Sequence, residues 1–123
     1  IVWQVKEFTN RTGIECEFED TLDDFEPDLE RSTTLFRIFQ ETLTNVVRHA
    51  RATQVYVTLS QLNEEITLKV RDNGSGISSS QVSNIRSLGL LGMRERAMVW
   101  GGNVHIHGIP DEGTTVTINI QKG

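Results

Sequence analysis

Apolar residues recur along this chain with two periods, one near 3.6 residues and one of two. Val2, Val5 and Phe8 are spaced as on one face of a short helix, and Gly13 stands where a C-terminal cap would close it. Ile14, Cys16 and Phe18 alternate, which predicts a first strand. A polar loop containing Pro27 leads into a long helical pattern from about Asp28 to Ala50. Leu29, Phe36, Phe39, Leu43, Val46, Val47 and Ala50 fall on one side of it. Val55, Val57 and Leu59 alternate, then Ile66, Leu68 and Val70, with QLNEE between them as a hairpin turn. A polar stretch, Ser78 to Ser87, shows neither period. A helix is predicted from about Leu91 to Trp100, stopped by Gly101-Gly102. Val104 and Ile106, then Val116, Ile118 and Ile120, alternate on either side of IPDEG and form a second hairpin.

The predicted order is helix, strand, helix, two strands, loop, helix, two strands. Two hairpins bring an antiparallel component, which excludes a doubly wound parallel sheet. One sheet with helices on one face, a two-layer α/β (α+β) sandwich, buries all these stripes. With 123 residues, no repeat and no low-complexity segment, residues 1–123 read as one domain.

Composition narrows the function classes. The net charge of −5 argues against general nucleic-acid binding. Acids crowd Glu15 to Glu30, a solvated strand edge and loop, whereas Arg37, Arg48, Arg51, Arg71, Arg86, Arg94 and Arg96 make the middle basic enough for a small anion. No apolar run approaches the roughly 20 residues of a membrane helix. The chain begins at Ile1 and shows no signal peptide, so it reads as a cytoplasmic segment of a longer protein, whose membrane anchor, if it has one, lies elsewhere. The one cysteine, Cys16, has no internal partner and reads as a packed thiol.

Candidate chemistry lies in four places. On the long helix Glu41, Asn45 and Arg48 follow at i, i+4 and i+7, with His49 beside them. This is either a solvent face or a ligand face: an amide oxygen suits Mg²⁺ and an arginine suits phosphate. RDNGSGI, at 71–77, is either a plain Asn-Gly turn or a turn that holds Asp72 at a pocket mouth. SLGLLGMRER, at 87–96, puts two glycines before a helix, where free N–H groups can meet an anion. GTTVTI, at 113–118, opens the last strand. No Gly-Lys-Ser/Thr occurs, so a P-loop is excluded, and no glycine fingerprint sits in a βαβ unit. His105 and His107 share a strand face without a third ligand for zinc.

ETLTNVVRHA at 41–50, DNGSGI at 72–77, GLLGMRERA at 89–97 and GTTVTI at 113–118, in this order, resemble the N box and the three glycine boxes of the GHKL ATP-binding superfamily. The GLLGMRERA form is most similar to the catalytic domains of nitrate/nitrite-sensor and desaturase-sensor histidine kinases. The resemblance covers essentially the whole chain and implies a Bergerat fold with a mixed, mostly antiparallel sheet.

The same resemblance implies site roles. Asp72 would accept from the adenine amino group, with Gly74, Gly76 and Ile77 alongside. Asn45 would hold Mg²⁺, and Glu41 would activate water or position the phosphates. Arg48 and His49 would lie near phosphates or ribose. Gly89, Leu90, Leu91, Gly92 and Met93 would form the lid hinge and phosphate cradle. Gly113 and Thr114, with Thr115, would approach adenine through water. The expected activity is donation of the ATP γ-phosphate to a histidine on separate dimerisation helices, for passage to a response regulator. A gyrase- or MutL-like ATPase and an anti-sigma-type serine kinase are the alternatives. The isolated domain is expected to be a monomer. Two departures stand out: no phenylalanine-rich box lies between the glycine boxes, and Asp111 stands where the last box usually has a glycine.

Overall fold

Strand alternation sets the sheet. The computed structural model describes residues 2–21, 29–47, 51–74, 89–109 and 111–121. Five strands, β1 (Glu15–Thr21), β2 (Gln54–Leu62), β3 (Glu65–Asp72), β4 (Asn103–Ile109) and β5 (Gly113–Gln121), pair in the order β1-β2-β3-β5-β4. β1 runs parallel to β2 and the other three junctions are antiparallel. A parallel neighbour requires a crossover, and the helix α2 (Leu29–Asn45) lies in the chain between β1 and β2. Short turns join β2 to β3 and β4 to β5, whereas β4 lies in the chain between the antiparallel partners β3 and β5.

Successive side chains point to opposite faces of a strand, so one face can be apolar throughout. Val55, Val57 and Leu59 of β2, Ile66, Leu68 and Val70 of β3, and Val116, Ile118 and Ile120 of β5 are buried on that face. The other face carries Tyr56, Lys69, Arg71, His105 and His107, all exposed. Helix α1 (Val2–Thr12) contributes Phe8 to the core, α2 contributes Leu35, Ile38, Phe39 and Leu43, and α3 (Leu90–Val99) contributes Met93 and Ala97. Burying one Phe or Leu stabilises by about 1.5–3 kcal/mol, so this layer accounts for the fold.

Helix ends follow local chemistry. α1 closes at Gly13, whose N–H donates to the Thr9 carbonyl at 2.9 Å. α3 closes with Gly101 and Gly102 donating to Met98 and Ala97 at 3.0 and 2.9 Å. Trp100 then joins α3 to α2: its indole N–H donates to Thr34 Oγ1 at 2.9 Å, and the Arg31 guanidinium lies 4.4 Å over its ring.

Two expectations about α2 need correction. Leu29 is 82% exposed and Val47 is 50% exposed, so neither belongs to the buried stripe. That stripe is Leu35, Ile38, Phe39, Thr42, Leu43, Asn45 and Val46, rotated from the one that apolar residues alone suggest. Thr42 is tolerated inside because its hydroxyl donates to the Ile38 carbonyl at 2.9 Å. Asn45 is therefore buried at the edge of the apolar side and does not lie on a solvent face, one of the two readings the sequence left open. The expected end of this helix at Ala50, and the stretches 22–28 and 78–87, lie outside the described residues.

Candidate functional site

Asp72 is the last residue of β3 and follows the buried rhythm Ile66, Leu68, Val70, so its side chain points to the helix-covered face. It is 4% exposed. Burial pushes its carboxyl above the usual carboxylate range, and the backbone N–H groups of Gly74 and Thr114 act against that rise. The Gly74 N–H donates to Asp72 Oδ1 at 2.8 Å. A carboxylate so placed can still accept one strong hydrogen bond from a ligand donor.

The neighbouring strand is built around it. Gly113 has φ 116, a conformation that disfavours any side chain, and a Cβ there would overlap the Asp72 carbonyl oxygen and come within 3.2 Å of Asn73 Cα. Gly113 thus serves the packing of β5 on the end of β3. Thr114 is 2% exposed, and its Oγ1 is buried with no hydrogen-bond partner among the described residues. A hydroxyl left so costs about 1–3 kcal/mol, which a bound water or ligand would recover. Thr115, by alternation, points to the uncovered face, where it stands between Arg71 and His107. It does not share a face with Asp72 and Thr114. Asp111 has φ 64, the left-handed conformation that a glycine usually supplies and that aspartate tolerates. A cavity of about 470 Å³ at this sheet end opens chiefly on the exposed face, where Lys69, Arg71, His107 and Thr115 line it, and it also touches Asp72, Gly113 and Thr114.

The second group gathers where α2 meets α3. Gly89, at φ 64, precedes α3, and a Cβ on it would overlap the Glu41 carboxylate. Glu41 therefore lies against the start of α3. Met93 is fully buried, with its sulfur 3.7 Å from Thr42 Oγ1, so it packs α3 on α2. Leu91 is 56% exposed and Gly92 faces the Arg96 guanidinium. Glu41 lines a cavity of about 670 Å³ with Arg37, Gln40, Thr44, Val47 and Arg96. Asn45 is 9% exposed, at the end of α2. Arg48, His49, Gly76 and Ile77 lie outside the described residues, as does the Leu90 side chain.

Sequence reasoning overlooked Asn73. Its side chain accepts from the N–H groups of Thr53 and Gln54 at 2.9 and 3.0 Å and donates to Thr53 Oγ1 at 2.9 Å. Its place in an Asn-Gly turn hid this, because turn chemistry alone accounts for an asparagine there.

Residues 30–123 match the family described as histidine kinase-, DNA gyrase B- and HSP90-like ATPases. The chain belongs to this family. Among curated relatives, the signal transduction histidine-protein kinase/phosphatase DegS of Brevibacillus brevis is 34% identical over 116 residues, covering 94% of this chain and 30% of DegS. The sensor protein VraS of Staphylococcus aureus is 39% identical over 84 residues, covering 68% of this chain and 24% of VraS. The chain thus spans less than a third of the length of these relatives. Of solved structures, the histidine kinase domain of the blue-light activated kinase of Erythrobacter litoralis EL346 superposes with a TM-score of 0.74 at 22% identity, over 95% of this chain and 57% of that one. The catalytic domain of histidine kinase ThkA superposes with a TM-score of 0.77 at 18% identity, over 98% and 86%. The fold is that of histidine kinase catalytic domains, and the chain is a histidine kinase-type ATPase domain. Among the described residues no helix is long and apolar enough to cross a membrane.

Proposed function

We propose that this domain binds Mg²⁺–ATP and presents the γ-phosphate to a histidine on dimerisation helices of the same parent kinase. The observation that carries this is the buried Asp72 carboxylate at the end of β3, beside a buried Thr114 hydroxyl that lacks a partner among the described residues. An acceptor-only group selects a ligand edge that donates, which favours adenine with its exocyclic amine over guanine with its carbonyl at the same position. The unpartnered hydroxyl of Thr114 fits a water or ring nitrogen beside it.

Asn45 would hold Mg²⁺ through its amide oxygen. The fit is chemical: among the described residues no group of three His, Cys, Asp or Glu side chains could hold a metal, and Mg²⁺ bound to a nucleotide needs only one or two protein oxygens besides phosphate and water. The ion supplies neutralisation of phosphate charge. Gly89 and Gly92, with Arg48 and His49, would face the phosphates, and Glu41, fixed at the start of α3, would orient them. Phosphoryl transfer asks a protein chiefly for positioning and charge compensation, which this set supplies. Residues 1–123 would form one ATP-binding domain, of the nitrate/nitrite-sensor and desaturase-sensor type, in a two-component pathway that ends on a response regulator.

A second reading, ATP hydrolysis with Glu41 activating water, draws on the position of Glu41 at the α3 start. Labelled ATP with the parent's dimerisation segment separates the two. Acid-labile phosphate on that segment is the expected result, and steady phosphate release without labelling favours hydrolysis. Titration calorimetry with Mg²⁺–ATP tests the shared premise: absence of heat at millimolar nucleotide would refute both.

A further inference from the structure

We infer that Asn73 is a positioning residue, which ties the strand end that carries Asp72 to the chain that leaves α2. The inference rests on reading the site as a nucleotide pocket and assigns work to a residue outside the ligand-contacting set. The tie uses three of the four hydrogen-bonding positions of the side chain. Oδ1 accepts from Thr53 N and Gln54 N at 2.9 and 3.0 Å, and Nδ2 donates to Thr53 Oγ1 at 2.9 Å. The Asn73 N–H itself donates to the Gln54 carbonyl at 3.2 Å. The two backbone donors leave only one orientation of the amide that satisfies every bond.

Thr53 is in turn a junction, because its carbonyl accepts from Glu15 N at 3.1 Å at the start of β1. On its other side Asn73 is confined by Gly113, whose missing Cβ lets β5 come close to its Cα. Residue 73 is thus held between the α2–β2 connection and β5. Asp72 is bonded directly before it, and Gly74, directly after it, donates to the Asp72 carboxylate. Asn73 is exposed, so water can replace its bonds, and four hydrogen bonds there contribute position more than stability. The consequence is spatial. The connection at 51–54 follows Asn45 in the chain, so the tie sets the metal end of the site against the adenine end. A ligand that spans both ends, Mg²⁺–ATP, depends on it, whereas adenosine, which reaches only Asp72, does not.

The test compares wild type with Asn73→Ala and, as a milder change, Thr53→Val, which removes only the acceptor of the amide N–H. Amide exchange by NMR reads the tie without any ligand, and calorimetry reads Mg²⁺–ATP and adenosine separately. In Asn73→Ala the amides of Thr53 and Gln54 should exchange about 10-fold faster or more, with those of Gly74, Val57 and Leu68 unchanged. Mg²⁺–ATP should bind about 10-fold more weakly while adenosine stays within about 2-fold, as expected when two ends of a site lose register. Thr53→Val should move both readouts the same way by less. Unchanged exchange in Asn73→Ala overturns the tie. Unchanged Mg²⁺–ATP affinity, or equal loss for ATP and adenosine, overturns the spanning role. If wild type itself binds no adenine nucleotide, the nucleotide reading fails and the role of Asn73 falls with it, a result distinguishable because it appears before any substitution.

Discussion

The two hairpins of the sheet turn at opposite ends and differ in what surrounds them. β2 and β3 are joined by Asn63 and Glu64 alone, with Leu62 facing Glu65 as the last pair. Asn63 takes φ 57, which asparagine tolerates, and all four of these residues are exposed. β4 and β5 are joined through Asp111 and Gly113 at the other end, where Gly113 and Thr114 are buried against Asp72. Both were legible as turns. Only the second is built against another strand end, and its left-handed Gly113 serves packing as well as reversal. The difference separates a connection, which tolerates change, from a turn packed into the candidate site, which does not.

The largest break in that comparison should come from Gly113→Ala. The added methyl meets backbone atoms of Asp72 that cannot swing aside, and φ 116 adds conformational strain. Overpacking and strain together predict a loss of about 3 kcal/mol, read by denaturant unfolding. The variant should also lose nucleotide binding, because β5 can relieve the clash only by moving Thr114 away from Asp72. A loss below about 1 kcal/mol would mean the two hairpins do not differ in kind.

Asp72→Asn tests chemistry at the same end with the packing kept. A hydrogen bond to a charged acceptor contributes about 1.5–3 kcal/mol, so Mg²⁺–ATP should bind roughly 10- to 100-fold more weakly by calorimetry. Apo stability should respond in a pH-dependent way. The folded-state pKa of Asp72 lies above its unfolded value, so the folded wild type binds the extra proton and gains stability as pH falls through that raised pKa. At neutral pH the wild type bears the full penalty of the buried charge. The melting temperature of Asp72→Asn relative to wild type should therefore be highest near pH 7 and decline in acid. A difference independent of pH would show that Asp72 is not destabilised by burial.

How much of this the sequence revealed follows from which signals are local. Strand alternation is local, so all five strands and both hairpins were legible. The parallel pairing of β1 with β2 was not, because a partner across a helical crossover leaves no mark within either strand. The face of α2 was misjudged because Leu29 and Val47 are apolar but exposed, while Thr42 and Asn45 are polar but buried. Periodicity counts residue type, and hydrogen bonding lets type and burial part. At the candidate site the boxes drew attention to Asp72, Gly89, Glu41 and Gly113, yet Thr115 could have been separated from Thr114 by alternation alone. Cys16 was legible as a packed thiol: it is half-buried, and burial pushes it up to about 11, away from reactivity.

Gly89→Ala gives an intermediate case. Its φ of 64 disfavours alanine by about 1–2 kcal/mol, but the obstructing atoms belong to the flexible end of Glu41 and can rotate away. Stability should fall by about that amount and no more. Phosphotransfer should fall further than stability explains, since Glu41 then leaves the start of α3. Equal effects of Gly89→Ala in wild type and in Glu41→Ala would show that the two residues do not act together.

The smallest effect belongs to the plain hairpin. Asn63→Gly replaces a residue that tolerates φ 57 with one that adopts it freely, at the cost of more freedom in the unfolded chain. The two terms oppose each other, and the turn lies at the end of β3 remote from Asp72. Stability should change by less than about 0.5 kcal/mol and Mg²⁺–ATP affinity by less than about 2-fold. A clear loss of affinity would mean that the far end of β3 transmits strain along the strand to Asp72. The contrast with Gly113→Ala would then reflect strand continuity rather than local packing, because Ile66, Leu68 and Val70 form the rigid path between the two ends.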